Sequence, residues 1–197
     1  MKKKIAFFDF DGTITTKDTM LELIKFHFGN FKFLKGLFSV LPWIGGMKAK
    51  LVTHQKAKER LLSYFFKDMP EETFIQICND FTKKKLPGLI RQSALREIEL
   101  LQKVNATIVV VTASAEHWVK QWCSSVNVEC IASQMEIING KLTGKLIGKN
   151  CNYEEKVIRI KENYILENYD EVHSYGDTAG DSKMLEMATH KFYRYLK

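Results

Sequence analysis

The chain has 197 residues, 45% hydrophobic and 27% charged, with a formal net charge of +7 and a pI near 9.1. That is ordinary for a globular protein, and the length suits one substantial domain, or one domain with a large insertion. The excess of Lys and Arg favours anionic partners, but it is spread along the chain without an RNA or DNA motif, so a nucleic-acid partner is not expected. A phosphate-bearing substrate or an anionic membrane surface explains the balance instead. Cys78, Cys123, Cys130 and Cys151 show no paired ligand spacing, and the opening Met-Lys-Lys-Lys is followed by only four apolar residues before Asp9. This predicts no signal peptide and free thiols in a reducing cytoplasm. His27, His54, His117, His173 and His190 form no metal pattern in the sequence and read as scattered structural or surface residues.

The apolar run Ile5 to Phe8 predicts a first β-strand, closed by Asp9-Phe10-Asp11-Gly12-Thr13. Residues 16–85 then alternate apolar and basic residues at helical spacing, which predicts a helical insertion. Asp18 suits the cap of a helix through Phe28, and Gly29-Asn30 suits its end. Lys48 to Phe66 reads as another helix, and Pro70-Glu71-Glu72 opens one that runs to about Lys85. Pro87-Gly88 marks the return to the core, with a helix from Leu89 to about Lys103. The β-branched run Ala106 to Val111 predicts a parallel strand covered on both faces. Helix Glu116 to Ser124 and strand Val128 to Ala132 follow, then a hairpin turning at Asn139-Gly140. Tyr153 to Glu167 reads as a helix, Glu171 to Tyr175 as a strand, Ser182 to Met187 as a helix, and Lys191 to Tyr195 as a last strand. Alternating strands and helices predict an α/β fold with a parallel, Rossmann-like sheet flanked by helices.

Polar residues gather at the predicted strand ends. In open α/β sheets the carboxyl ends face the ligand crevice, and alternation points Asp9 and Asp11 the same way. Their repulsion must be relieved by a shared proton or by a cation. Thr112 at the end of the second strand could bond a phosphate oxygen or merely cap a helix, and the amides of Ala113 and Ser114 could serve an anion if they open the next helix. Lys156 starts an amphipathic helix, where most lysines are solvated. Asp177 and Asp181, in Gly176-Asp177-Thr178-Ala179-Gly180-Asp181, either cap a helix or complete with Asp9 and Asp11 an oxygen-rich cluster suited to Mg²⁺.

The ordered set Asp9-Phe10-Asp11-Gly12-Thr13, Val-Val-Val-Thr112, Lys156 and Gly176-Asp177-x-x-x-Asp181 resembles the haloacid dehalogenase-like phosphatase superfamily over the whole chain. The helical insertion is similar to the C1 cap of its phosphoserine-phosphatase-like subfamily, which divides the chain into a core of residues 1–15 and 86–197 and a cap of residues 16–85. The resemblance implies Asp9 as nucleophile and Asp11 as general acid and base. It implies Mg²⁺ held by Asp9, Asp11 through its backbone carbonyl, and Asp177, with Asp181 supporting. Gly12, Thr112, Ala113 and Lys156 would bind the phosphoryl group.

The substrate is less constrained. The chain has Gly12 where phosphoserine phosphatases usually carry Ser, Gly180 in place of a common Asn, and no clear counterpart of their cap arginine. Asp18 and Arg60 are the candidate substrate readers of the cap. Gly36 to Met47 carries no charge, contains Pro42 and is flanked by Lys32, Lys35, Lys48 and Lys50. It is too short to span a bilayer, which needs about 20 residues, so it is either buried in the cap or rests in a membrane interface with Trp43 and the lysines at headgroup level. Ile131-Ala132-Ser133-Gln134 and its surroundings are similar to phosphatidylglycerophosphatase C-type enzymes. A lipid phosphomonoester at the inner face of the membrane and a small phosphate such as phosphoserine are both carried forward. So is a non-catalytic anion-binding protein, which would have lost one of the acids.

Overall fold

The computed structural model describes residues 3–48 and 52–197, with Ile44, Met47 and Lys48 described by their backbone only. Part of the predicted Lys48 to Phe66 helix and the flanking Lys50 therefore lie outside the described residues, as do Met1 and Lys2. Five strands, β1 (Lys4–Phe8), β2 (Thr107–Ala115), β3 (Glu129–Ser133), β6 (Glu171–Gly176) and β7 (His190–Tyr193), form one parallel sheet in the order β3-β2-β1-β6-β7. β1 lies at its centre. Ala6 and Phe8 enter one apolar cluster while Ile5 and Phe7 enter the other, and in β2 Ile108 and Val110 oppose Val109 and Val111 in the same way. Both faces are covered, so these strands need apolar residues at every position and show no alternation.

Helices α4 (Gln92–Lys103) and α5 (Glu116–Ser125) cover the first face, and α6 (Glu154–Asn163) and α7 (Ser182–Glu186) the second. Several predicted bounds shift for local reasons. Pro87 and Gly88 close a short turn over Leu86–Leu89, which delays α4 from Leu89 to Gln92. β2 continues past Val111 to Ala115, with a register shift against β3 between Thr112 and Ala115. The amides of Ala113 and Ser114 consequently belong to a strand end and do not open α5. α6 stops at Asn163, and Tyr164 is already extended.

The remaining elements form a roof. α1 (Thr19–Lys48) kinks at Gly29, whose φ of 76° replaces the predicted stop, and then resumes as helix through Pro42. In its second half Phe31, Leu34, Phe38 and Leu41, spaced three and four apart, lie on one exposed face, with Phe31 73% and Phe38 69% exposed. Phe33 and Val40 on the other side are buried. The Gly36 to Met47 stretch is thus helical and only partly buried. Among the described residues no helix is long and apolar enough to cross a membrane.

α2 (His54–Phe66) packs on α1 and on a hairpin of β4 (Met135–Ile138) and β5 (Lys141–Leu146), while α3 (Glu71–Lys84) packs on α5. The hairpin turns at Asn139 and Gly140, both with positive φ (52° and 70°), as its Asn-Gly pair predicts. Main-chain bonds sew the segment after α2 to this hairpin: Asp68 N to Leu142 O at 2.8 Å, Leu142 N to Met69 O at 2.9 Å and Glu71 N to Gly140 O at 2.9 Å. Gly144, at φ 80°, lies so close to α2 that a Cβ would come within 2.4 Å of Ser63 Cα.

Candidate active site

Asp9 follows β1, and its amide donates to the carbonyl of Tyr175 at 2.9 Å, tying the two strand ends together. The chain then turns at Gly12, with φ of 84°. A Cβ there would stand 2.6 Å from Asp177 Oδ2, so only glycine lets the loop pass this carboxylate. Lys156 reaches in from the first turn of α6 and is 1% exposed. Far from being solvated, its Nζ donates to Asp9 Oδ1 at 2.6 Å and to Asp181 Oδ1 at 2.7 Å. The second oxygen of Asp181 accepts from the amides of Asp177 and Thr178, at 3.1 and 3.0 Å, and from the Thr178 hydroxyl at 3.0 Å. Asp181 therefore shapes the loop that presents Asp177, whose Oδ1 accepts from Thr13 at 3.3 Å and whose Oδ2 pairs with Lys197 at 3.0 Å.

Burial pushes the Asp9 carboxyl up to about 7; Lys156 pulls against this, and the charges of Asp181 and Asp11 add to it. For Asp181 burial acts upward too, but the Lys156 charge and the loop amides outweigh it and hold the group below its ordinary range. Burial disfavours the Lys156 ammonium, and the two carboxylates reverse that and raise its pKa. A ligand oxygen from each of Asp9, Asp177 and Asp181 lies within 4.8 Å of the others, and all three residues are buried. Three buried carboxylates gathered this way match the all-oxygen donor set of a hard divalent cation.

Asp11 turns toward the roof. Its Oδ1 accepts from the Thr19 amide at 2.7 Å and its Oδ2 from the Ser114 hydroxyl. Trp118 Nε1 donates to Thr19 Oγ1 at 2.9 Å, which fixes that residue in turn. Thr112 is buried, and its hydroxyl accepts from the Ser114 amide at 3.0 Å. Above Asp11 a cavity of about 410 Å³ opens between sheet and roof. Met20, Leu21, Leu37, Val40 and Leu61 form its apolar wall, and Asp11, Asp18, Lys58 and Asn150 its polar part.

Asp18, exposed at the rim of the cavity, caps α1 by accepting from the Leu21 amide at 2.9 Å, and the nearby Asp11 charge acts to raise its carboxyl. Arg60 points elsewhere, its guanidinium 5.8 Å from the centre of the Trp43 ring. Lys58 occupies the place in the cavity that Arg60 is expected to take: it donates to the Ala113 carbonyl and to Asn150 Oδ1 at 2.9 Å, and burial lowers its pKa to about 8.

The profile of the haloacid dehalogenase-like hydrolase family matches residues 6–186. The chain belongs to this family. Protein CicA of Caulobacter vibrioides is 31% identical to this hydrolase, over 96% of this chain and 85% of its own. A protein of unknown function from Bordetella pertussis Tohama I has the same fold, with a TM-score of 0.81 at 17% identity over 96% of this chain and 88% of its own. A substrate-bound phosphoserine phosphatase superposes with a TM-score of 0.72 at 19% identity, covering 98% and 86% of the two chains.

Among the residues that sequence reasoning singled out, the hydrolase fold brings together Asp9, Asp11, Gly12, Thr112, Asp177, Asp181 and Lys156. Lys58 and Asn150 were missed, and Ser114 was singled out for its amide, not for the hydroxyl that donates to Asp11. Lys58 shares its helix with Lys56, and no local pattern separates the half-buried lysine from the exposed one. Ser114 is the one with a usable signal, since it lies two residues beyond Thr112 on an extended strand and so on the same face.

Proposed function

We propose that this hydrolase is a Mg²⁺-dependent phosphomonoesterase that works through an aspartyl-phosphate and acts on an amphiphilic, lipid-type phosphate. The observation that carries the chemistry is the buried Asp9 held by Lys156, one turn from an Asp11 aimed into the cavity. An Asp9 oxygen attacks phosphorus in line, the bond from phosphorus to the substrate oxygen breaks, and Asp11 gives its proton to the departing alkoxide. Asp11 then takes a proton from the water that attacks phosphorus, the bond to Asp9 breaks, and inorganic phosphate leaves. Lys156, Thr112 and the Ala113 amide stabilise the charge spread over the phosphoryl oxygens, and Gly12 lets that group approach the loop. Asp9, the Asp11 carbonyl and Asp177 would hold Mg²⁺, with Asp181 supporting; the ion supplies charge that offsets repulsion between Asp9 and the phosphate.

The substrate reading rests on the cavity wall and on α1. Residues 16–85 act as a cap whose inner surface offers aliphatic side chains, with Lys58 and Asp18 as the polar readers and Arg60 excluded by its position over Trp43. Its outer surface exposes Phe31, Leu34, Phe38 and Leu41 beside Lys32 and Lys35, whose ammonium groups lie 4.3 and 4.6 Å from the Phe28 and Phe31 rings. Apolar side chains ringed by lysines fit the interface of an anionic bilayer. Phosphoserine is the second reading, supported by the shared fold with phosphoserine phosphatases.

The deciding assay gives the enzyme a soluble aryl phosphate, phosphoserine and a phosphatidylglycerophosphate-type lipid in vesicles, before and after EDTA treatment. Mg²⁺-restored hydrolysis with preference for the lipid is expected. Full turnover without a divalent ion would overturn the metal assignment, preference for phosphoserine the lipid assignment, and no hydrolysis of any phosphate would leave a non-catalytic anion-binding protein.

A further inference from the structure

Two histidines that read as unrelated in the sequence meet at the amino-terminal end of the sheet. His173 of β6 and His190 of β7 are register partners in the parallel pair, so both side chains leave the same face, and their ring centres are 4.7 Å apart. Glu171 precedes His173 by two residues on that face, and its Oε2 lies 3.3 Å from His173 Nε2. One ligand atom from each of the three falls within 4.8 Å of the others. His173 Nδ1 is buried without a hydrogen-bond partner. Lys4 sits 2.7 Å from Glu171 Oε2 and balances its charge.

We propose that His173, His190 and Glu171 form a second cation site, for a transition metal such as Zn²⁺. Two imidazoles and one carboxylate are a donor set that Zn²⁺ accepts readily and Mg²⁺ does not, so the site is chemically separate from the all-carboxylate cluster. His190 is exposed, which gives the ion a path in, and its ring can turn to close the remaining ligand separations. Two of the ligands rise from adjacent backbones already fixed by strand pairing, so little ordering is needed on binding.

The site bears on the edge of the sheet. β7 has only four residues, and the chain beyond it holds the catalytic loop: the Arg194 amide donates to the Gly176 carbonyl at 2.8 Å, and Arg194 Nε to the Asp177 carbonyl at 3.2 Å. An ion joining β6 and β7 at their start therefore clamps the strand whose far end supports Asp177.

Zn²⁺ is titrated into the full chain against a chromophoric chelator, with Mg²⁺ saturating, and Co²⁺ is followed by its visible absorption. The expected result is one equivalent bound by the wild type, affinity at least tenfold lower in His190→Ala and in His173→Gln, and affinity unchanged in Asp177→Asn. The thermal midpoint rises with Zn²⁺ in the wild type and does not move in His190→Ala. Because His190 is exposed, its replacement leaves the fold intact and the comparison valid. Binding by His190→Ala within twofold of the wild type, or loss of binding in Asp177→Asn, overturns the site. Neither result depends on which phosphate the enzyme hydrolyses.

Discussion

Lys156 joins Asp9 and Asp181 through a side chain withdrawn from water, and in the proposed reaction that one fixed ammonium serves both the nucleophile and the loop that presents Asp177. Asp9→Asn keeps the volume, and Asp181 remains to balance the buried Lys156 ammonium, so it should leave the thermal midpoint nearly unchanged. It should lower turnover of an aryl phosphate by at least about a thousandfold, a barrier increase of about 4 kcal/mol; turnover within about tenfold of the wild type would refute the nucleophile. Lys58 offers a pH test. Its pKa is about 8, below the ordinary lysine value because of burial, so its charge is present at neutral pH and lost as the pH rises through 8. If it reads a second anionic group on the substrate, KM should climb several-fold between pH 7 and pH 9. Arginine stays charged throughout, so Lys58→Arg should flatten that rise while kcat keeps its own profile; a parallel rise in both proteins would free Lys58 of the role. The sequence made Asp9, Asp11, Asp177 and Asp181 legible because each lies within a few residues of a predicted strand end. Lys58 was not, because its partners, Ala113 and Asn150, lie far away in sequence.

At the level of elements, the parallel strands were readable from their uninterrupted apolar runs, since burial on both faces removes alternation. The second half of α1 was harder. Gly29 and Pro42 are both helix-breaking signals, yet the helix resumes after one and passes through the other, held by the burial of Phe33 and Val40 against the roof. Its exposed face gives a clean experiment. Phe31 and Phe38 contribute little to the core, so Phe31→Ser with Phe38→Ser should change stability by no more than about 0.5 kcal/mol per site. The double variant should lose most of its turnover of a vesicle-borne phosphate, keep turnover of a soluble aryl phosphate, and bind anionic vesicles more weakly, with the residual lysine-driven binding abolished by salt. Equal losses on both substrates would make this face a mere part of the cap. The hairpin turn at Asn139-Gly140 was legible from two residues, whereas its docking on α2 was not, because nothing near Gly144 in sequence announces the backbone of Ser63. Gly144→Ala combines a positive φ with a collision against main chain, and urea unfolding should show a loss of about 2 to 3 kcal/mol.

For the molecule as a whole, the main-chain bonds between residues 68–71 and the β4–β5 hairpin change what kind of motion the roof can make. A helical insertion tied to its core only where the chain enters and leaves would swing as a lid on two hinges. Here a third attachment, made of backbone amides and reinforced by the close fit of Gly144 on α2, turns the lid into part of a frame. Such a frame is expected to open by small sliding of α1 over α2, with the hairpin travelling alongside its helix. Hydrogen exchange reads this directly. The amides of Asp68, Glu71 and Leu142 should exchange together, at one rate and with one denaturant dependence, while the first half of α1 opens independently. Were Leu142 to stay protected as Asp68 exchanges, the roof would be hinged after all. The consequence reaches the reaction cycle: on the proposed reading of an amphiphilic substrate, a frame that opens only by sliding makes the tail enter and leave edgewise by one narrow route, so departure of the alcohol product should set turnover.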